Sequence, residues 1–180
     1  INREKSGIRR PTDFSLLGYS FVQGRKATTF ENYYPIASSK SVKKLKAKVK
    51  EITRKTLPYT FDTRVRKLKE VQRGWLRYFG LSRMYKTIVK LDSWIRNRLR
   101  YCIWHHWKKV DRRRKNLFRL GATAKDSWCW SRSRMGGWAI AQSPILQTTI
   151  TNRRLEQRGY EAMLPLYRSI APHLNEPLYT

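Results

Sequence analysis

Lysine and arginine are the residues whose number and spacing could do chemistry in this chain. Lys40, Lys43, Lys44, Lys46, Lys48 and Lys50 follow at intervals of one to three. Arg96, Arg98 and Arg100 alternate with other residues, and Lys108-Lys109 precede an unbroken Arg112-Arg113-Arg114-Lys115. Such side chains bind phosphate, lysine as a point charge and arginine as a planar fork that meets two oxygens. From Ser39 to Lys115 there are 26 Lys and Arg against 5 Asp and Glu, so +21 of the formal +28 lies there. A field of that size opposes compaction unless a polyanion relieves it. Neutralised nucleic-acid phosphate also releases counterions, which drives association. The expected partner is a nucleic acid.

Other chemistries find no support. Two-metal transfer needs carboxylates close together, but Asp13, Asp62, Asp92, Asp111 and Asp126 are scattered and no Asp-Asp pair occurs. No catalytic residue and no cofactor are assigned. His105-His106 invites a metal reading, yet neighbours on a helix point about 100° apart and no acidic or Cys residue has ligand spacing. These histidines are expected to face solvent or RNA, and no metal site is assigned. Cys102 and Cys129 stand apart, as buried thiols rather than a bridge. No run of about 18 apolar residues exists to span a bilayer, so a membrane is not an expected partner. Asp92, four residues before Arg96, is expected to form an ion pair within its helix.

The elements that must position these charges are mainly helical. Phe14 to Val22 reads as one buried strand, Gln23 to Lys26 as a turn and Ala27 to Glu31 as the return strand of a hairpin. Helical spacing then begins. Val42, Leu45, Val49 and Ile52 mark a first helix capped by Ser39 or Ser41 and ended by Leu57-Pro58. A second starts near Asp62 with Val65, Leu68, Val71 or Gln72, Trp75 and Phe79 inward, and stops at Gly80. A third starts near Arg83 and uses Ile88, Leu91, Ile95, Leu99 and Cys102 or Ile103. Short connections make these an antiparallel bundle. Further helices are expected at Arg112–Leu120, after the capping-box-like Thr123 to Asp126, from Ser143-Pro144, from Asn152 to Gly159, and from Tyr160 to Arg168. Met135 to Trp138 reads as a bend, and 172–180 as a frayed tail. Arg73, Arg77, Arg132 and Arg134 join the basic residues above as expected nucleic-acid contacts. Trp104, Trp107 and Trp138 are expected either to stack on bases or to pack the units together.

Several ordered strings resemble the C-terminal part of group II intron reverse transcriptases. They are Gly74-Trp75-Leu-Arg-Tyr78-Phe79-Gly, Leu91-Asp92-Ser-Trp94-Ile-Arg96-Asn-Arg98-Leu99-Arg100 and Trp104-His-His-Trp107-Lys108. Downstream, Ser133-Arg134-Met-Gly136-Gly-Trp138 and Ile140-Ala141-Gln-Ser143-Pro144 continue the pattern, and Phe14 to Phe21 resembles the last reverse-transcriptase motif. The resemblance spans about 14–170. It implies the end of a palm (1–38), a thumb or domain X carrying the maturase-specific region (39–115) and a DNA-binding domain D (116–180). It also implies binding to group II intron RNA to assist splicing, and to a DNA target or RNA–DNA duplex. Magnesium and the paired aspartates would belong to a palm upstream of Ile1, so the parent protein would be an RNA-directed DNA polymerase. A free-standing RNA-binding remnant is the alternative. The default compartment is the bacterial cytoplasm, with an organelle as the other choice. Met135 and Ala139 depart from the family, which often carries basic residues there. Oligomeric state is not legible.

Overall fold

The computed structural model describes residues 10–24 and 33–171. The expected return strand at 27–31 and the tail at 172–180 lie outside the described residues. After a 3-10 turn at Pro11–Asp13, the stretch read as one strand is two: β1 (Ser15–Leu16) and β2 (Tyr19–Gln23). They pair antiparallel around Leu17-Gly18, which take positive φ of 50° and 85°, the twist that suits a tight hairpin. The strand paired with the other edge of β2 is β3 (Tyr33–Ala37). This three-stranded sheet leans on the helices through Tyr19, whose hydroxyl donates to the Tyr78 carbonyl, while the Tyr78 hydroxyl donates to the Leu17 carbonyl.

Three long helices follow: α1 (Ser39–Ile52), α2 (Phe61–Phe79) and α3 (Tyr85–His106). The cap of α1 is Ser38 rather than Ser39 or Ser41. Its Oγ accepts the Ser41 N–H at 3.2 Å, while the Ser41 hydroxyl donates to the Gly18 carbonyl. Thr60 caps α2 through the Thr63 N–H, a contribution of about 1 kcal/mol per cap. In α2 the buried row is Val65, Leu68, Gln72, Leu76 and Phe79. Trp75 sits beside that row, half-buried against Phe79 with ring centroids 5.0 Å apart. No side chain caps α3. Tyr167, near the other end of the chain, supplies the contact, accepting the Met84 N–H and donating to the Ser82 carbonyl.

Six shorter helices complete the described residues: α4 (Val110–Arg119), α5 (Ala124–Ser131), α6 (Gly137–Gln142), α7 (Pro144–Thr149), α8 (Asn152–Gln157) and α9 (Met163–Ile170). Gly121, at φ 101°, makes the turn from α4. As expected, Thr123 caps α5 by accepting the Asp126 N–H. Thr151 rather than Asn152 caps α8. The last helix begins at Met163 rather than Tyr160, because Tyr160 is drawn inward. Its hydroxyl donates to Asp92 Oδ1 at 2.6 Å, and the Met163 N–H donates to the same oxygen at 3.1 Å. Burial and the Asp92 carboxylate raise the Tyr160 pKa well above its ordinary value, keeping it a donor. Asp92 Oδ2 takes Arg96, as helical spacing predicts.

The short helices pack on α3: α6, α8 and α9 all touch it, and α9 also meets α2. At Gly137, the start of α6, a Cβ would overlap the His105 ring, so only glycine allows that approach. One apolar cluster joins Leu45 and Val49 of α1, Leu68 and Leu76 of α2, and Ile95 and Leu99 of α3 to Leu117, Ile140, Leu146, Leu155 and Tyr167.

Candidate nucleic-acid interface

The apolar spacing of α1 turns Leu45, Val49 and Ile52 inward and leaves Lys40, Lys43, Lys44, Lys46, Lys48 and Lys50 exposed. Of these six lysines only Lys48 has a carboxylate partner among the described residues, Glu51 at 3.0 Å. Lys40/Lys44, Lys44/Lys48 and Lys46/Lys50 are spaced four apart, and each such like-charge pair disfavours the helix by about 0.2–0.5 kcal/mol. The face is therefore electrostatically unfavourable alone and relieved by a polyanion. Arg77 on α2 is exposed as well.

Many of the arginines expected beside these lysines go elsewhere. Arg100 is 2% exposed. Its guanidinium donates to the Ile150 carbonyl at 2.9 Å and to the side-chain oxygens of Asn97 and Asn152, so it cannot reach phosphate. Burial, with Arg96 nearby, lowers it to about 10, still charged at neutrality. Arg96 is held by Asp92, and Arg73 makes a two-point contact with Glu161 at 2.7 Å. Arg98 donates to the Thr53 hydroxyl and carbonyl at the end of α1. Arg113 donates to the Trp107 carbonyl and lies 4.5 Å from the Trp104 ring centroid. For Arg98, Arg100 and Arg113 the cause is that the last carbonyls of a helix lack intrahelical partners and carry partial negative charge, whereas Arg96 and Arg73 are held by carboxylates. Trp104 and Trp107 are buried, 2% and 7% exposed, with rings 6.1 Å apart. Neither offers a face to a base, so the packing alternative holds for both.

Trp138 remains half-buried, and it joins a seam that sequence reasoning assembled only in part. Trp94, Arg98, Tyr101 and His105 share one face of α3, at successive helical turns. Lys46 of α1 lies 5.6 Å from the Trp94 ring, and Arg98 lies 4.8 Å from Tyr101 and 5.6 Å from Trp138. Tyr101 contacts His105 edge-on at 4.3 Å. Tyr101 was missed, although its place three residues after Arg98 and seven after Trp94 was a usable signal. His105 is half-buried. Burial, with Lys55, Arg113 and Arg98 around it, pushes its pKa below the ordinary value. His106 beside it is exposed.

Lys108, Lys109, Arg112, Arg114 and Lys115 are exposed where α3 gives way to α4, with only a long 3.9 Å contact from Arg114 to Asp111. Arg132 covers the Trp128 ring at 4.3 Å, and Arg134 is exposed. Phe118 and Trp128, 61% and 52% exposed, are aromatics amid this charge that sequence reasoning had not singled out as contacts. Among the described residues no three His, Cys, Asp or Glu side chains are placed to hold a metal ion. No described helix is long and apolar enough to cross a membrane.

Residues 42–121 match the family model described as "Group II intron, maturase-specific domain". The matched span runs from the first turn of α1 through α4, so it contains the lysine face except Lys40, the α3 side of the seam and the junction block. No curated protein matches the chain.

Proposed function

We propose that the chain, whose residues 42–121 match a group II intron maturase-specific domain, takes part in splicing by binding intron RNA. It grips phosphates and stabilises the folded RNA while the RNA performs the splicing chemistry. The observation that carries this reading is the outer face of α1, six exposed lysines with one carboxylate among them. The seam of Trp94, Tyr101 and Trp138, with Lys46 beside it, supports it, because aromatic and basic groups together suit unpaired bases along a phosphate backbone. DNA presents the same phosphates, so an RNA–DNA duplex or DNA target is a second partner of this surface. The residues present act by binding and take no bond-breaking part.

The test is affinity for structured intron RNA, tRNA and duplex DNA at matched salt. With about 6 phosphates neutralised, log K falls against log salt with a slope of about −4 to −5. Replacing Lys40, Lys43, Lys44 and Lys50 by glutamine flattens that slope by about 0.7–0.9 per lost contact. A parent slope near −1, or a four-lysine variant with the parent slope, overturns the reading.

A further inference from the structure

A cleft of about 640 Å³ opens between the α1–α2 connection, the end of α3 and the end of α8. It shares His105 with the seam and Lys108 with the junction block, and no residue with the lysine face. Arg64 fixes one wall. This buried arginine of α2 donates to the carbonyls of Ile52, Arg54 and Leu57 at 2.7, 2.9 and 2.8 Å. It thereby holds the connection open in one shape, and such preorganisation lowers the cost of binding. Ile103 and Trp107 line the base of the cleft.

Lys55, Lys108 and Arg158 converge on this space from three separate parts of the chain. All three are exposed and none makes an ion pair with a described carboxylate. The Arg158 guanidinium lies 4.0 Å from the Phe61 ring centroid, so one face of the plane is supported and the other is available. Arginine planes held in this way stack on unpaired bases. Asp62 is the sole carboxylate of the lining, an anionic acceptor among the cations. The cleft thus combines positive charge for a phosphate, a supported flat surface for a ring and one acceptor for a hydroxyl or amine. Its volume falls in the range of small-ligand sites.

We propose that this cleft binds a single nucleotide, its phosphate on Lys55 and Lys108 and its base on the Arg158–Phe61 stack. The nucleotide is either an unpaired residue of the bound RNA or a free nucleotide, and the proposal rests on the RNA-binding reading only for the first source.

Adenosine 5′-monophosphate, adenosine and inorganic phosphate are titrated against the whole chain by calorimetry. The monophosphate is expected to bind at least about 10-fold more tightly than either part, since both halves of the site are used. Arg158→Gln removes charge and plane, whereas Arg158→Lys keeps the charge alone. Both are expected to weaken the monophosphate by about 5- to 100-fold, the range of one lost base stack. Lys55→Gln with Lys108→Gln, on exposed positions, is expected to bring the monophosphate down to the affinity of adenosine. Bulged and fully paired RNA hairpins separate the sources. If the nucleotide is strand-borne, the Arg158 variants lose affinity for the bulged RNA alone and bulged RNA displaces the monophosphate. If it is free, both hairpins bind as before and the monophosphate is not displaced. A monophosphate that binds no better than phosphate, or equally well to the Arg158 variants, overturns the proposal. RNA affinity that keeps its salt dependence in that case leaves the wider reading standing.

Discussion

Lysine lines the outer face of α1, and arginine closes the C-terminal ends of α1, α3, α4 and α7. On α1 six ammonium groups stand in solvent with one carboxylate among them. At the helix ends the pattern is the reverse. Arg64 and Arg98 take carbonyls at and beyond the end of α1, Arg113 that of Trp107 after α3, and Arg100 that of Ile150 after α7. Arg154 serves two at once, the Leu120 carbonyl after α4 and the Thr149 carbonyl in α7. The two side chains are sorted by chemistry. A guanidinium is less strongly hydrated than an ammonium and presents a rigid fan of donors, so it can satisfy several carbonyls in a partly dry site. An ammonium on a flexible stem is better left in water. The net +21 of the middle segment therefore overstates the number of cations that can touch a ligand directly.

The sharpest way to break this division is Arg100→Ala, which leaves the buried Ile150 carbonyl and the Asn152 amide oxygen without a donor, while Asn97 keeps only Gln147. It should cost about 3–5 kcal/mol and lower the melting temperature by on the order of 10 °C. RNA affinity measured well below the melt should not change. A full melting temperature with weakened RNA binding would show that Arg100 swings out to phosphate.

Within the junction block the division falls between neighbours. Arg113→Gln should cost about 1–3 kcal/mol of stability, through the bond to Trp107 and the contact with Trp104, and leave the salt slope alone. Replacing Arg112, Arg114 and Lys115 together by glutamine should move stability by about 0.5 kcal/mol or less while flattening the slope by about 0.7–0.9 per lost contact. Equal behaviour of the two variants in melting and salt titration would abolish the distinction.

The smallest effect is expected where an arginine meets a carboxylate near the surface. Hydrogen bonding from Arg73 holds the Glu161 carboxyl below its ordinary value of 4.5. Its stabilisation is therefore present above that value and is lost as pH falls through the lower, folded-state value. The gap in melting temperature between the parent and Glu161→Gln should close on acidification from about pH 6 to about pH 3. A gap that stays constant would mean that the pair contributes nothing through its charge.

Helices were legible because their signal is local. The spacing of Leu45, Val49 and Ile52, or of Ile88, Leu91, Ile95 and Leu99, repeats within a few residues and fixes which side faces the core. The hairpin was less legible, since Phe14 to Val22 is apolar enough to hide a turn that only Gly18 betrays. The expected caps, Ser39 or Ser41, missed Ser38 by one and three residues, and so small a choice depends on the backbone that precedes them. The destinations of the arginines were not legible. Arg100 meets a carbonyl 50 positions away, and no local pattern distinguishes it from Arg96 or Arg98. The cleft is equally non-local, since Lys55, Lys108 and Arg158 share no element.

Asp92 gives the chain an order of events. It is 3% exposed in the middle of α3, and two of its three donors come from Tyr160 and Met163, 68 and 71 residues later. During synthesis the first three helices leave the ribosome well before that stretch. Until it arrives, α3 must either keep the carboxylate in water or enclose it with Arg96 alone, and an incompletely paired buried charge is strongly unfavourable. Chains cut short before Tyr160 leave this carboxylate with Arg96 alone and that side of α3 uncovered, and should be cut by proteases faster than the whole chain. The final helix is the step that locks the ones made before it.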